Sequence, residues 1–62
     1  MKEKIKQLIA ENLIRQGTLK LTLRNLEMMG MRDDERTSSI LDAIQELEER
    51  NQKLHEILKQ TN

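Results

Sequence analysis

Thr37, Ser38 and Ser39 supply the hydroxyls that could act as nucleophiles, and Asp33, Asp34 and Glu35 place three carboxylates just before them. A hydroxyl attacks only when a neighbouring base takes its proton, and the one histidine, His55, is not near these residues in sequence. Three successive carboxylates lack the alternate-residue spacing of a calcium loop. His55 has no cysteine and no second histidine with which to share a metal. Capping of a helix is therefore the expected work of the serines and aspartates, and His55 is expected on the surface. No catalytic residue, metal, cofactor or small-molecule substrate is expected, and the chain does not read as an enzyme.

The elements that would position these residues have little material to work with. Sixty-two residues make one domain, near the size where a lone core barely offsets chain entropy. About a third of the chain is apolar, with no Phe, Tyr, Trp, Val or Cys. Missing aromatics and valine argue against a sheet, and missing cysteine excludes disulfides and thiolate sites. Eleven basic residues balance eleven acidic ones, so bulk charge points to neither nucleic acid nor membrane. No apolar stretch resembles a signal-peptide core or approaches the ~20 residues of a membrane span. A cytoplasmic, non-membrane protein is expected. An amphipathic helix over 2–16 lying on a membrane surface is disfavoured by Glu3 and Glu11.

Gly17, Gly30 and the polar run from Arg32 to Ser39 are the only punctuation, since proline is absent. Residues 2–29 carry Ile5, Leu8, Ile9, Leu19, Leu23 and Leu26 on one helical stripe, and residues 33–60 repeat the pattern with Ile40, Ile44, Leu47, Leu54 and Leu58. Gly30 suits a left-handed position after a helix, and Met31 suits the apolar contact that follows it. Asp33 or Asp34 can cap the second helix, with Ser38 or Ser39 as the alternative. The reading is one all-α domain over 1–62: helix 2–29, loop 30–32 and helix 33–60, folded as an antiparallel hairpin. One segment dissents. Thr18 to Leu23 alternates with period two, as a strand would, and would pair across a dimer in a ribbon-helix-helix arrangement. The interval from Leu23 to Thr37 leaves little room for the helix that arrangement needs.

Heptad positions give the hairpin a register. Folding the chain at residues 31–32 sets Ile5 level with Leu58, Ile9 with Leu54, Asn12 with Asn51, and Gln16 with Leu47. Leu19 then meets Ile44, Leu23 meets Ile40, and Leu26 meets Thr37. Asn12 and Asn51 form a register-setting polar layer in which two amides satisfy each other. Leu8 and Ile57 on one flank, with Leu13 and Leu41 on the other, widen each stripe to the width of a bundle helix. A homodimer completing a four-helix bundle is the economical assembly. The competing arrangement is a parallel leucine zipper over 37–58, with Asn51 at a core position.

Ile14, Leu21 and Met28 recur every seven residues on the side of the first helix away from the seam, where a solvated helix should be polar. Ala10 and Gly17 widen this stripe, whereas the equivalent positions of the second helix are Asp42, Glu49 and Glu56. A kink at Gly17 would turn Leu21 inward. Without one, Ile14, Leu21 and Met28 form a ridge for a protein partner, with Met29 and Met31 as an adaptable rim. Residues 1–31 hold six basic and three acidic side chains, and residues 32–62 hold five and eight. Lys2, Lys6, Lys20 and Arg24 fall within about 40° on the helical wheel. This stripe either answers the acidic second helix, with Lys20 opposite Glu48, or tracks the phosphates of a nucleic acid.

Two equal helices, a tight turn and a polar layer resemble the Rop-type homodimeric helical hairpins. That resemblance implies a four-helix bundle and RNA binding through the outward face of the first helix, here Lys2, Lys6, Lys20 and Arg24. No aromatic residue is present there to stack on a base. Gly30-Met31-Arg32-Asp33 and Gln45-Glu46-Leu47 are also similar to the loop and part of the signature of the helical-hairpin phosphatases of the sporulation phosphorelay. Ile44 stands at that signature's serine and Glu48 at its aspartate, so the activity does not carry over. The expected function is a small non-enzymatic regulator or adaptor that binds and modulates a protein partner. The alternative is a Rop-like RNA-binding regulator.

Overall fold

The computed structural model describes residues 1–31 and 33–60. Helix α1 spans Lys2–Met28 and helix α2 spans Asp34–Gln60, each of 27 residues. They pack side by side in opposite directions, giving a rod of 48 × 15 × 10 Å. Antiparallel order is fixed by polar contacts across the seam, in which Asn12 reaches Asn51 and Gln16 reaches the backbone of Ile44. The parallel zipper over 37–58 is excluded by this doubling back.

Each helix is one residue shorter at the turn than the sequence suggests, because Met29 and Asp33 serve as caps rather than helical residues. Arg32, expected within the loop, lies outside the described residues. Gly30 adopts φ 69°, donates its N–H to Glu27 O at 3.2 Å, and is followed by Met31 donating to Leu26 O at 3.0 Å. This pair of bonds ends a helix through a left-handed residue, a conformation that costs glycine least. On the far side, Asp33 Oδ1 accepts the N–H of Glu35 at 3.1 Å while Asp33 O accepts that of Thr37 at 2.8 Å. Asp33 is thus the cap of α2, and Ser38 and Ser39 lie within its opening turns.

The period-two segment Thr18–Leu23 is helical, so the ribbon does not form. Its threonines turn their hydroxyls onto the helix itself. Thr18 Oγ1 donates to Ile14 O at 3.1 Å and Thr22 Oγ1 to Thr18 O at 2.9 Å. Two β-branched residues that favour strands are in this way accommodated by backbone carbonyls one turn earlier. Gly17 lies inside the continuous α1, and Leu21 stays exposed rather than turning inward.

Buried positions follow the heptad seam. Ile5, Ile9, Gln16, Leu47 and Asn51 are buried, and Asn12, Leu19, Leu23, Leu26, Thr37, Ile40, Ile44, Leu54 and Leu58 are half-buried. Ala43 joins them from beside the seam. Among the described residues no side chain is fully enclosed, because each helix covers only one side of the other. The two polar seam residues of α1 and Asn51 are bonded. Asn12 Nδ2 donates to Asn51 Oδ1 at 2.8 Å, Asn51 Nδ2 to Ile9 O at 3.3 Å, and Gln16 Nε2 to Ile44 O at 3.2 Å. No buried side-chain polar atom among the described residues lacks a partner, which removes the main cost of a polar layer.

Candidate protein-docking surface

The register that turns Ile5, Ile9 and Gln16 toward α2 forces the opposite positions of α1 outward. Ile14 is 69% exposed, Leu21 58% and Met28 79%. Ala10, one turn before Ile14, and Gly17, between Ile14 and Leu21, are exposed beside them and leave the stripe shallow there. Asp42, Glu49 and Glu56, the outward positions of α2, are exposed as well and carry charge. Apolar residues therefore occupy two sides of α1 and only one side of α2. Met29 and Met31, at the turn, are 67% and 54% exposed, so neither fills the loop end of the core. Helix α1 thus carries an exposed apolar surface of the kind that marks protein interactions.

A second apolar strip runs along the crevice between the helices. Leu19, Ala43 and Leu47 line one half with Ile14, and Leu8, Asn12 and Leu54 line the other. Arg15 and Arg50 border both halves. Arg50 is held by Glu46 at 2.8 Å within α2, with both side chains more than half exposed, a geometry worth about 0–1 kcal/mol. These arginines and Ala43 were not singled out by the sequence pattern. The signal available for them was their place beside the seam on the same flank as Leu8 and Ile57.

Lys2, Lys6, Lys20 and Arg24 are all exposed. They form two pairs near opposite ends of α1, about 20 Å apart along its axis. Ala10, Leu13 and Gly17 occupy the interval. Lys20 and Glu48 border one crevice together with Leu13 and His55 but do not close an ion pair. His55 is exposed, and no cluster of potential metal ligands exists among the described residues. No helix among the described residues is long and apolar enough to cross a membrane.

The chain is an all-helical antiparallel hairpin, the architecture expected from its resemblance to the Rop-type proteins. No protein-family model, curated protein or solved structure matches it.

Proposed function

We propose that this protein is a non-enzymatic interaction module that docks a helix of a protein partner along the outward face of α1. Ile14, Leu21 and Met28 act as anchors, with Met29 and Met31 as the rim. The observation that carries this reading is the exposure of three large apolar side chains at heptad spacing outside the buried seam. Periodic apolar anchors are how a helix is read by another surface. A regulatory or adaptor role follows if the docked helix belongs to a partner's working surface. Assembly as a homodimer fits the large apolar side chains that a single hairpin leaves uncovered.

Replacing both Ile14 and Leu21 by Glu tests the reading. The double variant is expected to keep its helical circular dichroism and lose capture of the partner. Unfolding of the variant would show these residues to be core and overturn the proposal. A shift of structured RNA that weakens steeply with salt and vanishes when Lys20 and Arg24 become Ala would favour the nucleic-acid reading instead.

A further inference from the structure

We infer that the outward face of α1 docks on the same face of a second copy of this chain, with the two α1 helices antiparallel. This rests on the reading of that face as a docking surface and names its occupant. Ala10, Ile14, Gly17, Leu21, Arg24 and Met28 recur at alternating spacings of four and three residues, and all are exposed. Such spacing makes a helix-packing seam, so α1 carries two seams, of which α2 covers one. The outward positions of α2 are Asp42, Glu49 and Glu56. That acidic face gives apolar anchors nothing to bury against. The exposed apolar residues of α2, Leu41 and Ile57, lie on opposite flanks of the seam rather than in one row. The outward face of α2 of a second copy is therefore not the occupant.

The second seam is complementary to itself. Small and large residues alternate through Ala10, Ile14, Gly17 and Leu21. With a two-fold axis level with Arg15 and Gln16, Ala10 faces the partner's Leu21 and Ile14 faces the partner's Gly17. Symmetry repeats both pairs, so Ile14 and Leu21 each meet a small residue, and Met28, at the end of the seam, comes level with the partner's Glu3. Charges agree with this register. Lys6 comes within about 3 Å of the level of the partner's Glu27, two residues' rise away on the same flank, and Gln7 comes level with the partner's Arg24, one turn from the partner-facing Glu3. A parallel pairing would stack Gly17 on the partner's Gly17, Leu21 on the partner's Leu21 and Arg24 on the partner's Arg24, alternating gaps with collisions. Sliding the antiparallel pair by one heptad brings Lys20 within about 3 Å of the level of the partner's Lys20 in one direction, and Lys6 equally close to the partner's Lys20 in the other.

Gly17 gives independent support. It lies within α1 without the positive φ that would require glycine, and a Cβ added there would meet nothing within 4 Å. A mid-helix glycine weakens a helix relative to alanine, so the hairpin by itself gains nothing from it. Close approach of the partner's Ile14 accounts for it.

Sedimentation equilibrium on the full chain, with the Gly17→Leu variant beside the wild type, tests the assignment. The wild type is expected to sediment as a dimer. Gly17→Leu fills space that is empty in the hairpin, so helicity should hold or rise while the dimer weakens on the order of tenfold or more. Spin labels on single cysteines fix the direction, since the chain has none of its own. Labels at Thr18→Cys should lie within about 20 Å of each other and labels at Asn25→Cys about 30 Å or more apart, from the 1.5 Å rise per residue. Two short distances would mean a parallel pair and overturn the assignment. A wild type that stays monomeric overturns the second-copy occupant, while the Ile14→Glu/Leu21→Glu capture experiment still decides the docking reading. A dimer indifferent to Gly17→Leu overturns the assignment, and one also indifferent to the double Glu variant removes the docking reading with it.

Discussion

Asn12 and Asn51, 39 residues apart, join their side-chain amides at 2.8 Å across the seam. Asn51 completes the layer by donating to the carbonyl of Ile9 at 3.3 Å. The pair ties one height on α1 to one height on α2, and a slip of either helix would leave amides facing isoleucine and leucine. In a seam this thin, the layer selects one alignment over its neighbours.

Breaking that layer on one side should cost more than removing it whole. Asn12→Leu leaves the buried Asn51 with an unanswered acceptor, and a loss of about 1–3 kcal/mol is expected in urea denaturation. The Asn12→Leu/Asn51→Leu double variant should recover most of that loss or exceed the wild type, with a less uniquely aligned hairpin. Additive losses in the double variant would contradict a coupled pair.

Gly30→Ala separates backbone conformation from packing. A Cβ there meets no atom within 4 Å, so the whole penalty comes from φ 69°. A loss of about 1–2 kcal/mol is expected in thermal or chemical unfolding. An unchanged midpoint would mean that the turn relaxes to another conformation without cost.

Asp33→Ala should remove the acceptor for the Glu35 N–H, bonded at 3.1 Å. The expected cost is about 0.5–2 kcal/mol, with loss of amide-exchange protection confined at first to the opening turn of α2. Ser38→Ala, inside the helix, should change stability by a few tenths of a kcal/mol, and a larger effect would move the cap away from Asp33.

Leu47→Ala and Leu21→Ala remove the same atoms from opposite environments. Leu47 is 7% exposed and Leu21 58%. The first should destabilise by about 2–4 kcal/mol and the second by well under half of that, in circular-dichroism melts at concentrations low enough to suppress association. Equal losses would place Leu21 in the core.

The hairpin was legible in the sequence because its signals agree. Ile5, Ile9 and Leu47 keep one helical phase, Gly30 and Asp33 stop and restart the helix three positions apart, and Asn12 falls level with Asn51. The period-two run was misleading for a local reason. Thr18 and Thr22 look like strand residues by branching, yet their hydroxyls bond the carbonyls of Ile14 and Thr18, a contact that side-chain alternation does not encode. Exposure of Ile14, Leu21 and Met28 followed once the seam was set, because heptad phase fixes both faces of a helix together. Ala43, Arg15 and Arg50 were harder to read. Positions beside a seam are decided by how closely the helices approach, and periodicity says nothing about that distance.

The turn at Gly30 brings the open ends of α1 and α2, at Lys2 and Gln60, to the same pole of the rod. Force applied between the two ends therefore peels the layers in sequence, first Ile5 from Leu58, then Ile9 from Leu54, and reaches the joined amides third. Pulled instead between one end and the turn, the helix would load every one of its layers at once, so the molecule is mechanically weak in one direction and resistant in the other.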